Sequence, residues 1–245
     1  MCAEKNKIYK LGDHRLACGD CRDSDLVKNL VGNSKIKLIL TDPPYGISYV
    51  ESKSGFCKVK KNTVIENDNP VTEVVYRDFS IAWLSAAAPH LADKNSCYIF
   101  NSDKMLFALK EAMGICNFKL SQLIIWIKNN QVVGRKDYLT KHELIVYGWY
   151  GTHAFYKSKD KSVLFYPKPN ISPLHPTTKP LGLIRRLILN STAIGDIVYD
   201  PFAGSGTTLI ACEQTKRVCL AVEIDKNYCN TIIGRFNNLK GGVNT

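Results

Sequence analysis

The sequence lacks several features that would place it in a specialised class of protein. Its 245 residues contain no apolar run near the ~20 residues that a membrane-spanning helix needs. The polar N-terminus has no apolar core of a secretory signal. Apolar residues make up 45% and charged residues 22%, which is ordinary for a folded domain and excludes collagen-like and low-complexity chains. We therefore expect a cytoplasmic protein that forms a single domain over residues 1–245.

The nine cysteines do not form the pattern of a disulfide framework or of a zinc site. The number is odd and the spacings are scattered. Cys18 and Cys21 form a CxxC pair, but no second pair or nearby histidine pair completes a zinc site. This pattern predicts mostly reduced cysteines and no bound metal.

Negative charge is scarce, since 22 acidic residues face 33 basic ones and give a net charge of +11. Such a surplus suggests a polyanionic partner. Basic residues concentrate in segments 51–61 and 128–168, and the second segment interleaves aromatic rings that could stack on bases. A solvated basic face with ordinary core aromatics is the alternative interpretation. The candidate nucleic-acid contacts are Lys53, Lys58, Lys60, Lys61, Arg135, Lys136 and Lys141.

Short β-branched runs alternate with helical stretches along the chain. Strands are expected within 8–18 and over 36–40, 96–100, 120–126, 143–147, 196–199 and 217–222. Helices are expected over 72–91, 103–113, 180–191, 206–215 and 226–237, whereas 151–178 resembles a loop. This alternation predicts an α/β fold with a mostly parallel sheet and helices on both faces. Ligands of such sheets bind at the carboxyl ends of the strands.

The sequence DPFAGSGTT begins where one predicted strand ends, at Asp200. Gly204 and Gly206 allow a tight turn beneath a helix N-terminus, and Glu223 follows at the spacing of a ribose-binding acid. Leu209 stands where a dinucleotide fold would need its third glycine, and no Gly-Lys-Ser/Thr follows as in a P-loop. An adenosine-containing ligand without a pyrophosphate fits better, and the alternative is a purely structural turn.

A second motif, TDPPYG, follows the strand over 36–40. Two prolines remove backbone donors and make the loop rigid. Asp42 and the Pro43 carbonyl can each accept a hydrogen bond from an exocyclic amino group, while Tyr45 can stack on its ring. A rigid turn that caps a strand is the structural alternative.

Together these motifs resemble the S-adenosylmethionine-dependent DNA amino-methyltransferases. Their order, catalytic motif first and cofactor loop last, is similar to that of the β group. LACGDC and HPTTKP provide further matches, which imply Asp20 at the cofactor's adenine and Lys179 near its carboxylate. The resemblance implies a Rossmann-like, circularly arranged, seven-stranded sheet with one antiparallel strand.

The resemblance also implies the residues of the site. Its catalytic residues would be Asp42, Pro43, Pro44 and Tyr45. Its cofactor-binding residues would be Asp20, Cys21, Lys179, Asp200, Pro201, Phe202, Ala203, Gly204, Ser205, Gly206, Thr207, Thr208 and Glu223.

The implied activity is methyl transfer to a flipped base in double-stranded DNA. Aspartate at the first motif position goes mostly with N6-adenine in this family, and N4-cytosine and, less so, RNA methylation are the alternatives. The chain has no large inserted recognition domain, so loops 46–70 and 128–174 or a partner subunit would recognise DNA. The resemblance is compatible with a homodimer and with a restriction-modification role.

Overall fold

A computed structural model describes residues 3–44, 72–130, 137–157, 159–167 and 179–241. The first half contains β1 Lys7–Leu11, β2 His14–Cys18, α1 Ser24–Val31, β3 Ile36–Thr41, α2 Glu73–Ala87, β4 Leu91–Asn101, α3 Leu106–Ile115 and β5 Phe118–Ile127. The second half contains β6 His142–Tyr150, β7 Thr152–His153, β8 Val163–Phe165, α4 Leu181–Ser191, β9 Ile197–Asp200, α5 Thr207–Thr215, β10 Val218–Glu223 and α6 Lys226–Gly241.

The strands form one sheet in the order β1-β2-β10-β9-β3-β4-β6-β5-β8, with β7 paired to β4. Strands β2, β10, β9, β3 and β4 run parallel. Strand β6 runs antiparallel to both neighbours, β4 and β5. The seven strands from β2 to β5 therefore confirm the expected sheet with one antiparallel strand.

Three short strands extend that sheet, and one of them, β1, is among the two short strands expected within 8–18. Strand β1 pairs antiparallel to β2, β8 pairs parallel to β5, and β7 pairs parallel to β4. Strands β7 and β8 correct the prediction of loop over 151–178 in its described part. They are held by backbone pairing at the periphery and are too short to show an apolar alternation. Segment 46–70 lies outside the described residues, and 128–174 is described in part.

Helix α1 was also missed by sequence analysis. Its N-cap is Asp23, whose side chain accepts hydrogen bonds from the backbone N–H groups of Asp25 and Leu26. Four apolar residues of its eight are buried against the sheet: Leu26, Val27, Leu30 and Val31.

A hydrophobic core lies on each face of the sheet. Leu38 and Leu40 of β3 point into the core with α4, α5 and α6, whereas Ile39 points into the core with α1, α2 and α3. Alternate residues of a strand face opposite sides, so β3 is buried on both. No helix of the described residues is long and apolar enough to cross a membrane.

Seven cysteines within the described ranges are free and buried: Cys18, Cys21, Cys97, Cys116, Cys212, Cys219 and Cys229. Burial raises the pKa of the Cys97 thiol to about 12. A thiol of this kind stays protonated and packs as a small apolar group.

The turn into α5 gives a test of the packing. Gly206 has φ +82°, and an added Cβ would lie 2.8 Å from Cγ1 of Ile232 on α6. Gly206→Ala should therefore destabilise the fold by about 1–3 kcal/mol, because it combines left-handed strain with overpacking. Urea unfolding measures the change.

Gly234→Ala is the matched control for that substitution. Gly234 lies within α6, and an added Cβ would meet nothing within 4 Å. It should raise the free energy of unfolding by about 0.5–1 kcal/mol through helix propensity. Equal effects of both substitutions would contradict the assigned packing of Gly206.

Candidate active site

Both sequence motifs lie at the same edge of the sheet. Asp42 follows β3, while Asp200 and Glu223 end β9 and β10. The carboxyl ends of parallel strands meet at one edge, which is the ligand edge of open α/β sheets. Strand β6 runs in the opposite direction, so its first residues, including Glu143, also lie there.

A buried hydrogen bond joins the two motifs. The hydroxyl of Thr41, at the end of β3, donates to Oδ1 of Asp200 at 2.8 Å. The backbone N–H of Phe202 donates to the same oxygen at 3.2 Å. Burial raises the pKa of Asp200 to about 6, although these bonds and one from Thr208 oppose the rise. The catalytic segment therefore adjoins the glycine-rich loop.

The described part of the DPPY motif comprises Asp42, Pro43 and Pro44. Pro43 is buried, and Asp42 and Pro44 are partly exposed. Tyr45 lies outside the described residues, so its expected stacking stays a prediction.

Asp42 begins a chain of alternating charges. Nζ of Lys179 lies 2.8 Å from Oδ2 of Asp42 and 2.9 Å from Oε2 of Glu143. Nζ of Lys128 lies 2.7 Å from Oε1 of Glu143. We call Asp42, Lys179, Glu143 and Lys128 the ion-pair chain. Its members come from four parts of the fold: Asp42 follows β3, Lys128 follows β5, Glu143 lies near the start of β6, and Lys179 precedes α4.

The ion-pair chain is largely withdrawn from water. The side chain of Lys179 is 10% exposed and that of Lys128 is 6% exposed. Nζ of Lys179 also lies 4.9 Å from the ring centre of Phe100 and 5.9 Å from that of Trp126. Aromatic faces add a weak attraction for the ammonium and restrict its position.

Burial and charge pairing oppose each other in the ion-pair chain. Burial would lower the pKa of Lys179, but the charges and hydrogen bonds of Asp42 and Glu143 raise it above its usual value. Burial would raise the pKa of Glu143, but Lys179 and Lys128 hold it below its usual value. Both groups therefore stay ionised near neutral pH.

Sequence analysis missed Glu143 and Lys128. The available signal was one charged residue at an end of each of two apolar strands: Lys128 ends IIWIK, and Glu143 lies near the start of HELIV. Such residues are usually solvated, so the pattern did not distinguish them from surface charges. Sequence analysis placed Lys179 near the carboxylate of a cofactor, whereas its described contacts are with Asp42 and Glu143.

The glycine-rich loop is held by Glu223. Its Oε2 accepts from the backbone N–H of Gly204 at 2.8 Å, and its Oε1 accepts from that of Asp225 at 2.9 Å. Gly204 has φ +53°, and an added Cβ would meet nothing within 4 Å, so the backbone there is open to a ligand. The remaining residues of this loop lie between β9 and the first turn of α5: Pro201, Phe202, Ala203, Ser205, Gly206, Thr207 and Thr208.

Asp20 and Cys21 lie beside this loop. The N–H of Gly19 donates to the backbone oxygen of Glu223 at 2.9 Å, which brings the end of β2 to the end of β10. Asp20 pairs with Arg22 at 2.7 Å, and although burial opposes the shift, hydrogen bonds from Arg22 lower the pKa of Asp20. The thiol of Cys21 packs in the core. Their contacts with a cofactor stay predictions.

Of the basic residues predicted to contact nucleic acid, one lies within the described residues and the others lie outside them. Lys141 is exposed, and its backbone oxygen accepts from the N–H of Lys128 at 2.9 Å, just before β6. It therefore lies next to the ion-pair chain. The other candidates lie outside the described residues: Lys53, Lys58, Lys60, Lys61, Arg135 and Lys136.

The sheet order and the joined motifs define a Rossmann-like methyltransferase that uses S-adenosylmethionine. The DNA methylase family model, for N6 and N4 amino-methyltransferases, matches residues 36–234. Because this match spans most of the chain, the protein belongs to the N6/N4 DNA methylase family.

Individual relatives agree with that assignment. The chain is 30% identical to the type II methyltransferase M2.MboI of Moraxella bovis, over 90% of this chain and 86% of that protein. It is 28% identical to M.HpaI of Haemophilus parainfluenzae, over 95% and 77% of the two chains.

Two solved structures show the same fold. The S-adenosylmethionine complex of M1.HpyAVI has a TM-score of 0.68 at 24% identity, and covers 91% of this chain and 98% of that one. The cytosine-N4-specific PvuII DNA methyltransferase has a TM-score of 0.70 at 17% identity, over 96% and 95% of the two chains.

The described residues fit S-adenosylmethionine. The open backbone at Gly204 stands beside the carboxylate of Glu223, which suits hydroxyl groups of a ribose. The loop leads directly into the N-terminus of α5. Within the described ranges, no group of three or more histidine, cysteine or acidic side chains is arranged to hold a metal ion.

The pKa of Asp200 leads to a test of stability. A carboxyl group whose pKa is about 6 in the folded protein and 3.8 unfolded destabilises the fold as it ionises. Wild type should therefore lose about 3 kcal/mol relative to Asp200→Asn as the pH rises from about 4 to 7. Urea unfolding of both proteins at several pH values measures this difference.

The matched control is Asp93→Asn, because Asp93 is exposed on β4. As a surface substitution, it should change the free energy of unfolding by no more than about 0.5 kcal/mol. If the difference between Asp200→Asn and wild type were the same at every pH, ionisation of Asp200 would not be costly.

Proposed function

We propose that the protein methylates the N6 amino group of adenine in double-stranded DNA, as the cytoplasmic modification enzyme of a type II system. The hydrogen bond between Thr41 and Asp200 carries this proposal, because it joins the DPPY segment to the cofactor loop. A base held at Asp42 and a methyl donor held at the glycine-rich loop would then meet at one edge of the sheet. The restriction-modification role is supported by the type II relatives.

Asp42 and the Pro43 carbonyl would orient the amino group. The lone pair of an exocyclic nitrogen is delocalised into its ring, which makes the nitrogen a poor nucleophile. Hydrogen bonds from both amino hydrogens to Asp42 and Pro43 favour a pyramidal nitrogen whose lone pair points away from the ring plane. Such acceptors act by positioning and electrostatics.

When bound, S-adenosylmethionine would supply the methyl group from its sulfonium. The new carbon–nitrogen bond would replace the carbon–sulfur bond, whose electron pair stays on sulfur, and the nitrogen would release one proton to water. The products are a methylated base and S-adenosylhomocysteine. The target base must leave the helix, because its amino group is unreachable inside a duplex.

Adenine is proposed because Asp42 occupies the first position of the motif, where N4-cytosine enzymes mostly carry serine. The likeness to the cytosine-N4-specific PvuII enzyme, at 17% identity, concerns the fold. N4-cytosine methylation is therefore the second outcome that an assay must distinguish.

A methyl-transfer assay tests the base and the role of Asp42. Unmethylated duplex DNA should gain N6-methyladenine from S-adenosylmethionine, as identified by mass spectrometry of its nucleosides. Asp42→Ala should lower turnover by about 10³-fold or more and leave cofactor binding nearly intact, because it removes an acceptor that orients the nitrogen.

Asp93→Ala is the control, since Asp93 is an exposed residue of β4. N4-methylcytosine as product would overturn the assignment of the base. Full turnover of Asp42→Ala would overturn its catalytic role, and label on RNA alone would overturn DNA as substrate.

We also propose that segments 46–70 and 128–174 recognise DNA. Their positive charge is suited to phosphates, and exposed Lys141 lies beside the ion-pair chain. The exposed ring of Tyr138, which is 90% accessible, lies three residues before Lys141 and could stack on a base.

Replacing Lys58, Lys60 and Lys61 with alanine together should weaken binding to all duplexes alike. The slope of log K against log salt concentration should fall by about 0.9 for each phosphate that the protein no longer neutralises, so by up to about 3. Titration of a labelled duplex at several salt concentrations measures this slope.

The control variant replaces three exposed lysines outside both segments, Lys10, Lys110 and Lys119. It removes the same charge and should leave the slope close to that of wild type. Equal decreases of the slope in the two variants would show that net charge, rather than segment 46–70, determines binding.

A further inference from the structure

We infer that Lys179 and Glu143 are positioning residues for methyl transfer, with Lys128 as the anchor that completes the ion-pair chain. Their task is to hold the Asp42 carboxylate in place. This inference rests on the proposed role of Asp42. It differs from the role that sequence analysis gave Lys179, at the carboxylate of the cofactor.

The geometry restrains each member of the ion-pair chain. Lys179 contacts a carboxylate oxygen on each side, at 2.8 and 2.9 Å. Glu143 uses different oxygens for Lys179 and Lys128. Movement of Lys179 away from Asp42 would therefore also break its contact with Glu143.

The anchoring comes from the sheet rather than from the loop that carries Asp42. Glu143 is the second residue of β6, and Lys128 follows β5 directly. These two strands are paired along nearly their whole length, from Phe118 opposite Tyr150 to Ile127 opposite His142. Lys179 therefore connects the loop after β3 to the antiparallel strand pair of the sheet.

The charges also fix the position of Asp42. Lys179 contacts Asp42 directly, and Glu143 contacts Lys179 from its other side. Without Lys179, the carboxylates of Asp42 and Glu143 would lose the ammonium group that lies between them. Loss of one partner of a buried ion pair is costly, so we expect the Asp42 side chain to move in its absence.

Displacement of Asp42 would defeat its proposed task. The amino group of a base needs an acceptor at this position, and misplacing a catalytic group by about 1 Å can cost about 10²-fold in rate. Lys179 thus contributes the position of Asp42, without touching the reacting atoms.

Lys179→Met and Glu143→Gln test this inference when kcat is measured. Lys179→Met should lower kcat by about 10²-fold, since misplacing a catalytic group costs about that much.

Glu143→Gln should lower kcat by about tenfold, which corresponds to one weakened charge-assisted contact. Lys179→Arg keeps the charge between the two carboxylates, so it should restore part of the kcat that Lys179→Met loses. Melting temperatures of all variants show that each protein is folded.

The affinity for S-adenosylmethionine, measured by calorimetry, distinguishes the two roles of Lys179. Nearly unchanged affinity in Lys179→Met supports a role toward Asp42. Weakened cofactor binding with an unchanged kcat would overturn the inference and place Lys179 at the cofactor. Lys10→Met, at an exposed position of β1, is the charge control and should behave as wild type.

Comparison of Asp42→Ala with Lys179→Met distinguishes failure of this inference from failure of the proposed function. If Asp42→Ala is inactive while Lys179→Met keeps the kcat of wild type, the inference fails and the proposed function stands. If Asp42→Ala is fully active, the proposed role of Asp42 fails, and with it the basis of the inference.

Discussion

A buried ammonium group between two carboxylates organises the catalytic edge of this protein. The side chain of Lys179 is 10% exposed, and its charge is tolerable there because Asp42 and Glu143 both contact it. Removing one partner of a buried ion pair is costly, since it leaves a charge without compensation. The antiparallel direction of β6 is what brings Glu143 to this edge, and the loop carrying Asp42 depends on that arrangement.

The cofactor loop depends on a second pair of constraints. Asp200 is held by Thr41 and by the backbone of Phe202, while Glu223 is held by Gly204 and Asp225. Both acids end parallel strands, so their positions follow from the sheet. These hydrogen bonds hold the backbone of the glycine-rich loop, which stays open to a ligand at Gly204. The basic segments of the chain would then bring DNA to the same edge.

Local patterns predicted much of this arrangement because they depend on local chemistry. Strand β3 was predicted within one residue, since its apolar run is buried on both faces. The two motifs were recognised because proline restricts the backbone and glycine allows conformations that other residues rarely adopt, and both effects are local. Strands β7 and β8 were missed because two or three residues held by edge pairing carry no periodic signal, and α1 was missed although its cap and apolar residues were present in the sequence.

The sequence by itself determined the family, the order of the motifs and the expectation of an α/β sheet with one antiparallel strand. Only the tertiary structure decided what Lys179 contacts, and that Glu143 and Lys128 belong to the site. Their partners come from β3, β5, β6 and the start of α4, which are far apart in the chain. The energy with which a charged side chain interacts depends on its burial and its neighbours. Neither property can be read from a residue's position in the sequence.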